Sequence, residues 1–486
     1  MISSLKKISS ALAVTLSLCI GSNAFAKSND DANIVIPDMG PAGIRGMTVQ
    51  EEKLYGNYFL RKAYGAGAVS YDPVLNEYIN TVGRKLIINA HNVYFPFEFF
   101  LSADKSLNAS AFLGGKVQIN AGLFHYTDNE DEFASVLAHE ISHVTQRHIA
   151  RFIEDQSDRT TVNVASLIGS IVLAIINPTV GMAALSTTTG MMAQTGINFT
   201  RDNESEADRI GINVMHDAGY NPMAMSDLFR KLLSLQGTIN PAYAMLIDHP
   251  LSEIRVSEAY NRAKNFPKKE NSKNPNFMLS KARIDVRYMD LKLNDLKERL
   301  LKANKVNSYY KNYALALIYF EEKNIEKSKE YLSQLNSLGA NDFILDLQTD
   351  IDIYAKNYQS AISRLNSIYS SKPYDTAIAF NLANAYIEAK QGNNAIRVLK
   401  KFLIKYPDNY FANDLIVKAY LLNKDKCSAF QGYAKTASLG AQYNQANRYL
   451  NNALHQCSGT ERDRVRALFS KYAEMKEFDQ KFDKKR

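Results

Sequence analysis

Residues 137–148, LAHEISHVTQRH, carry three of the chain's eight histidines and a glutamate. His139 and His143 are four positions apart. On a helix that separation puts both rings on one face, one turn apart. Two imidazole nitrogens can there converge on a single ion, at about 2.0–2.1 Å each. Glu140, beside the first of them, is placed to act as a base toward water at that ion. The pattern His-Glu-x-x-His is therefore a candidate zinc centre for hydrolysis, and it needs a third ligand. His148 is the nearest candidate. In the extended form of the pattern, a glycine at 146 turns the chain back and a histidine at 149 completes the site. This chain has Gln146 and Ile149 instead. Without the glycine the helix is expected to continue, leaving His148 as a surface residue or a neighbour of the ligands.

The third ligand must then come from a distant segment. RDNESEADRIG, residues 201–211, reads as the start of a second helix. Glu204 and Asp208 share a face there. One carboxylate beside two histidines suits zinc and leaves a fourth position open. Asp208, one turn on, can accept the free ring N–H of a ligand histidine and fix its tautomer; it is counted with Glu140 among the catalytic residues. Glu206 is expected to point elsewhere. Acids also gather at helix N-termini for the dipole alone. It is the preceding His-Glu-x-x-His that favours ligands here.

These residues need a scaffold. Residues 50–65 and 74–91 show helical patterning, and FPFEFFLSAD reads as a strand. SAFLGGKVQINAGLF reads as two short extended pieces around Gly114 and Gly115. Val117, Ile119 and Ala121 alternate with Gln118 and Asn120, the period of a half-buried strand. The histidine-bearing helix is expected to open near Thr127, since Thr127 and Glu130 have capping-box spacing. VASLIGSIVLAII, residues 164–176, is too short to span a bilayer. It predicts a buried core helix followed by a flexible Gly/Met/Thr-rich loop; the alternative is a mobile lid or membrane-touching segment beside the active site.

Residues 265–276, NFPKKENSKNPN, are polar with two prolines and no apolar periodicity, which predicts a linker. Beyond it the pattern is helical and repeats. Ala361, Ala395 and Ala429 are 34 apart, as are Leu365, Leu399 and Tyr433, and Pro373 and Pro407 keep the same step. Small residues let paired helices approach, large ones fill the gap, and the proline ends the second helix. LANAYIEAKQGNNAIRVLKKFLIKYP resembles the tetratricopeptide repeat position by position. Such units stack into a solenoid with a concave binding face. A weaker copy, YALALIYFEEKNIEKSKEYL, puts Ser328 at the alanine position, one residue out of step.

At the other end, Lys6 and Lys7, an apolar run from Ala11 to Ile20 and Ala24-Phe25-Ala26 have the form of a secretory signal cleaved after Ala26. Bulky Leu18 before Cys19 argues against a lipoprotein signal. The mature chain would keep Cys427 and Cys457, which an oxidising compartment favours joining. With 46% hydrophobic and 22% charged residues the chain is globular rather than disordered. Its net charge of +8 is spread out, with no compact basic stripe interleaved with aromatics, so nucleic acid is not an expected partner. Mild peripheral attraction to an anionic membrane surface is left open.

LAHEISHV, RDNESEADRIG and DHPLSEIR together resemble the HtpX and CaaX-protease class of zinc metallopeptidases, over most of residues 50–264. With the signal before and the repeats after, the chain is similar to periplasmic members of that class associated with outer-membrane protein assembly and quality control. The resemblance implies His139, His143 and Glu204 as ligands of one Zn2+ ion per chain and Glu140 as the catalytic glutamate. It also implies that Lys116–Asn120 is an edge strand that pairs with extended substrate. It brings His249, in LIDHPLSEIR, near the metal. There His249 would donate a hydrogen bond to the oxyanion, or fill the fourth zinc position in the resting enzyme. A surface histidine before a turn is the remaining reading, and the resting latch is favoured. The spanning helices of the integral-membrane members have no counterpart here.

The expected organisation is a signal peptide over 1–26, then a mainly α peptidase domain of zincin type with a small β-sheet over 27–264. A linker over 265–276 and an all-α tetratricopeptide-repeat solenoid over 277–486 complete it. The expected function is a periplasmic endopeptidase with chaperone-like activity that degrades misfolded or stalled envelope proteins. The repeats would hold those clients or the outer-membrane assembly machinery. The competing class is a holdase or adaptor whose peptidase domain is largely silent.

Overall fold

The computed structural model describes residues 47–159, 164–176, 201–235, 245 and 249–483. The expected signal and the stretch after residue 176 lie outside the described residues. α1 (Val49–Gly65) opens on a reciprocal cap. The Thr48 hydroxyl accepts from Glu51 N–H at 3.2 Å, and the Glu51 carboxylate accepts from Thr48 N–H at 2.7 Å. α2 (Pro73–Ile87) opens on Asp72, with Pro73 where no N–H is required. Three strands follow: β1 (Glu98–Ser102), β2 (Ala109–Phe112) and β3 (Lys116–Asn120). The turn between β2 and β3 runs through Gly114 and Gly115 at φ of 68° and 76°, a region glycine enters without strain. A side chain at Gly114 would also strike the α1 backbone, 2.7 Å from Glu52 O.

The sheet corrects two expectations. Its order is β1-β3-β2, with β1 parallel and β2 antiparallel to β3, so Lys116–Asn120 is the central strand and not an edge. All five of its residues are buried, so it is not half-exposed. Its polar side chains find partners inside. Lys116 pairs with Glu98 at 2.7 Å, Gln118 donates to Asn120 at 3.2 Å, and Asn120 donates to Ser106 at 3.0 Å. The outer side of β1 is closed by α2: Asn80 donates to Phe99 O at 3.0 Å and Asn76 accepts from Leu101 N–H at 3.1 Å. The other edge, β2, faces the histidine helix.

After α3 (Ala121–Tyr126) comes that helix, α4 (Glu130–Thr145). It opens later than expected. Asn129 is the cap, accepting from Glu132 N–H at 3.0 Å. Thr127 instead ends α3 and gives its hydroxyl to Leu123 O at 2.6 Å. Every residue of α4 is buried, as in a helix packed on all sides. α5 (His148–Arg159) and α6 (Val164–Ile176) follow it. α7 (Arg201–Asp217) and α8 (Met223–Leu235) then pack on α4, with α9 (Glu253–Ala263) behind them. Gly211 sets the spacing: a Cβ there would lie 3.3 Å from Ala138 C and from His139 N. α7 thus rides on the backbone of α4. The apolar run forms α6 as expected, with Leu167, Ile168, Ile171 and Val172 buried beside Tyr58 and Phe59 of α1. Among the described residues, no helix is long and apolar enough to cross a membrane.

Twelve helices, from α10 (Pro275–Arg287) to α21 (Gly459–Asp483), form the rest of the described chain. The turns inside successive helical pairs carry Lys323, Lys356, Lys390 and Lys424 at φ of 63°, 59°, 59° and 59°. Their steps of 33, 34 and 34 reproduce the sequence register, including the upstream copy one residue short. Ala361, Ala395 and Ala429 are buried, and so is Ser328, whose hydroxyl donates to Ala316 O at 2.8 Å.

The core runs on past residues 265–276. One apolar cluster reaches from Val74 to Ala377. Buried Arg283 of α10 bridges Asp72 and Asp346, each at 2.7 Å. Residues 265–276 lie along the start of α4, where Ser272 N–H donates to Asp131 and the Asn274 amide to Glu130. The last turn of α21 returns to α1. Tyr58 donates to Asp483 at 2.9 Å, Lys62 pairs with Asp483 at 2.7 Å, and Arg61 and Tyr443 both bind buried Asp479. Gly169 of α6 lies against the Phe482 carbonyl, where no side chain would fit. Ile44–Arg486 thus make one compact unit.

Cys427 in α19 (Lys426–Leu439) and Cys457, just after α20 (Tyr443–Gln456), are disulfide-bonded across 30 residues. Closing a loop of that length is worth about 3–4 kcal/mol in the chain-entropy description. Reduction is therefore expected to speed amide hydrogen exchange across α19–α21 and to leave α4 and α7 protected. Unchanged exchange in α19–α21 of a fully reduced sample would remove the bond from the determinants of that region's stability.

Candidate metal centre

Four side chains from three segments meet behind β2. His139 and His143 come from α4, Glu204 from α7, and His249 from the segment before α9. One ligand atom from each lies within 4.8 Å of the others, and all four residues are buried. His139 Nε2 and His143 Nε2 are 2.9 Å apart. Glu204 Oε2 is 3.4 Å from the first, and its Oε1 is 3.5 Å from the second. His249 Nδ1 stands 3.1 Å from Glu204 Oε1 and 3.3 Å from His139 Nε2. The spacing of four within α4, and a carboxylate two turns before Gly211, are what bring the donors together.

The donor set fits a borderline cation such as zinc, and its electrostatics agree. Burial drives the His143 pKa well below its ordinary value, and the neighbouring His139 pushes the same way. A neutral ring is what ligation requires. Burial alone would raise Glu204, but His249 and His139 outweigh it and hold the carboxyl well below the usual range. Burial would likewise lower His139, but Asp208 and Glu204 win and push it up to about 10. The two carboxylates thus draw positive charge into the pocket, and a cation bound there would displace the His139 proton.

Glu140 stands at the rim of this group. Its Oε2 accepts from Ala111 N–H of β2 at 2.8 Å. Its Oε1 is buried, makes no hydrogen bond, and faces His249 Nε2 at 3.4 Å. Burial raises its pKa, against the pull of His249 and His139, which suits a group that must take up a proton.

A second layer holds the ligands. Asp208 Oδ1 lies 2.9 Å from His139 Nδ1. Arg255 grips Asp208 through two bonds of 2.8 and 2.9 Å and reaches Glu204 Oε2 at 2.9 Å. The same guanidinium donates to Pro250 O at 2.9 Å, next to His249. Burial works against the Arg255 charge, and Asp208 and Glu204 more than offset it. Sequence reasoning missed Arg255, although it lies within the segment that flagged His249. The one available signal was its place three residues into a helix capped by Ser252, on an otherwise ordinary polar stretch.

His148 corrects a further expectation. α4 does not continue to it. The helix ends at Thr145, and Arg147 takes a left-handed φ of 56° without any glycine. Such a conformation persists where surroundings over-determine it. Here the Arg147 side chain is held by Glu52 at 2.6 Å and by Met47 O at 2.7 Å. His148 then opens α5, fully buried beside His143, which removes the surface placement and keeps the neighbouring one. Its Nδ1 lies 2.7 Å from His143 Nδ1. Glu206 does point away from the cluster, and its Oε2 meets His148 Nε2 at 3.0 Å.

A family model described as Peptidase family M48 matches residues 73–263, and one described as Tetratricopeptide repeat matches residues 353–413. The chain is similar to the beta-barrel assembly-enhancing protease of Escherichia coli strain K12, 35% identical over 437 residues that make up 89% of each chain. The protein of the same name from Yersinia pestis is 34% identical over 426 residues, 87% of this chain and 88% of the relative. A putative beta-barrel assembly-enhancing protease from Vibrio cholerae is 32% identical over 443 residues, 90% of this chain and 92% of the relative.

Two substitutions test the geometry. Glu140→Gln leaves every ligand in place, so metal content and melting temperature should hold while proteolysis falls by at least about 10²-fold, the low end of general-base contributions. Wild-type cleavage by that variant would refute the role of Glu140. Arg255→Ala leaves two buried carboxylates without their cation. Chemical denaturation should show a loss of about 3–5 kcal/mol, and a change below 1 kcal/mol would mean that the carboxylates are balanced by other groups.

Proposed function

This chain belongs to peptidase family M48, among the beta-barrel assembly-enhancing proteases, and on that premise we propose that it is a periplasmic zinc endopeptidase acting in outer-membrane protein assembly and quality control. The observation that carries the reading is the buried group of His139, His143 and Glu204 with Glu140 at its rim. A zinc ion held there supplies polarisation of a peptide carbonyl and a lowered pKa for water. The chain's own residues do the rest. An extended substrate can add as a further strand along Ala109–Phe112, the edge strand next to the site, rather than along Lys116–Asn120. Glu140, with Oε2 anchored on Ala111, takes the proton of the attacking water on Oε1 and returns it to the leaving amine. Asp208 and Arg255 keep His139 and Glu204 in place while that proton moves.

Two features support the setting. The Cys427–Cys457 bond favours an oxidising compartment such as the periplasm. The repeats favour protein partners, which would be misfolded or stalled envelope proteins or the outer-membrane assembly machinery.

One observation favours the second reading, a holdase or adaptor with a latent peptidase. His249 Nδ1 lies among the ligand atoms, and its Nε2 faces the Glu140 oxygen that must receive the proton. His249 thereby competes with substrate and water for the same space. We read it as a latch, a fourth ligand in the resting protein.

The test is digestion of reduced, carboxymethylated α-lactalbumin, with zinc measured for each sample. A chelator should abolish cleavage and zinc should restore it; absence of any metal-dependent cleavage by wild type and variants alike would overturn the peptidase reading. His249→Ala should cleave faster than wild type at equal zinc occupancy. Slower cleavage at full occupancy would replace the latch by an oxyanion donor, and an unchanged rate would leave His249 without either role.

A further inference from the structure

Each ligand histidine has a second ring nitrogen, and the two are met by different chemistry. His139 Nδ1 is met directly by a carboxylate, that of Asp208, at 2.9 Å. His143 Nδ1 is met by another imidazole. His148 Nδ1 lies 2.7 Å away, with the two rings inclined at 77°. His148 Nε2 in turn lies 3.0 Å from Glu206 Oε2, which Arg151 also holds at 3.1 Å. A line of hydrogen-bonding groups therefore runs from a ligand to a carboxylate at the protein surface.

The direction of the protons follows from the ligand set. His143 presents Nε2 to His139 and Glu204, so the proton of its neutral ring is on Nδ1. That N–H must donate, and His148 Nδ1, 2.7 Å away, can accept it. His148 must then carry its own proton on Nε2, where Glu206 accepts it. One tautomer of each ring satisfies all three groups; the other His148 tautomer would set two N–H groups face to face and turn the His148 Nε2 lone pair toward the Glu206 carboxylate. Leaving a buried polar group unsatisfied is costly, so the arrangement is strongly fixed. The backbone is shaped for it as well. His148 reaches His143 because α4 breaks at Arg147, whose left-handed turn is held by Glu52 and Met47.

We propose that His148 and Glu206 are positioning residues of the metal centre: His148 fixes the tautomer and ring plane of His143 and passes to it the polarisation of the Glu206 carboxylate. The proposal rests on the reading of His139, His143 and Glu204 as zinc ligands. His148 serves His143 as Asp208 serves His139, with a neutral ring interposed before the charge. Partners of this kind typically contribute 10–100-fold in metal affinity.

The experiment measures zinc affinity of the full chain by competition with a chromophoric chelator. The proteins are wild type, His148→Leu, His148→Gln, Glu206→Ala and the double variant His148→Leu/Glu206→Ala. Circular dichroism and melting of the metal-free forms show whether each is folded. His148→Leu fills the same space without accepting a hydrogen bond, and zinc binding should weaken about 10–100-fold. A glutamine can accept from His143 and donate to Glu206 at once, so His148→Gln should recover most of that loss. Glu206→Ala should weaken binding in the same direction and by less. Because its effect travels through His148, the double variant should bind no more weakly than His148→Leu alone. If His148→Leu fails to fold, His148→Gln and Glu206→Ala still decide the matter. Zinc affinities equal to wild type in Leu and Ala variants would overturn the proposal. So would a glutamine no better than leucine, or losses that multiply in the double variant. A wild-type chain that binds no zinc would overturn the metal reading itself, a result distinct from equal binding by all five proteins.

Discussion

The site depends on bringing two carboxylates, Glu204 and Asp208, against the backbone of a helix buried on every side. Each buried anion carries a desolvation penalty of several kcal/mol unless it is paired and hydrogen-bonded. Gly211 permits the approach, since α7 can touch α4 only where no side chain intervenes. Arg255 permits the burial, since one guanidinium binds both carboxylates and is itself enclosed. The same guanidinium holds the Pro250 carbonyl. The group that balances the ligands therefore also fixes the segment bearing His249. On the proposed reading, the ligands and the latch therefore share one cation.

What the sequence disclosed and what it hid divide along a physical line. Helical periodicity is local, so His139 with His143, and Glu204 with Asp208, could be paired from spacing alone. The repeats were legible for the same reason, down to Ser328 in place of an alanine and the shortened upstream step. Strand order is not local. Lys116–Asn120 shows the alternation of a half-exposed strand, yet all five of its residues are buried, with Lys116 held by Glu98 and Asn120 by Ser106. The break after α4 was hidden because it is enforced from outside the segment, by Glu52 almost a hundred positions earlier. A left-handed arginine has no signature when its restraint is tertiary. Arg255 was hidden by context, since an arginine in the first turn of a polar helix ordinarily faces water. The start of α4 was misplaced by two residues because Thr127 and Asn129 both have cap chemistry, and only packing decides between them.

The contact between α21 and α1 joins positions 425 apart, Tyr58 and Asp483. In a chain that emerges N-terminus first, so distant a pairing forms last. Until residues near 480 are delivered, the apolar cluster beside α5 and α6 lacks Phe482, and Arg61 lacks the buried Asp479. α1 and α6 are then present with one flank unfinished. Order of synthesis thus acts as a clock on maturation: the cluster shared by α1 and α6 is completed only by the far end of the repeats. A break late in the chain would reach α1 and α6 first, as a missing wall of their shared cluster.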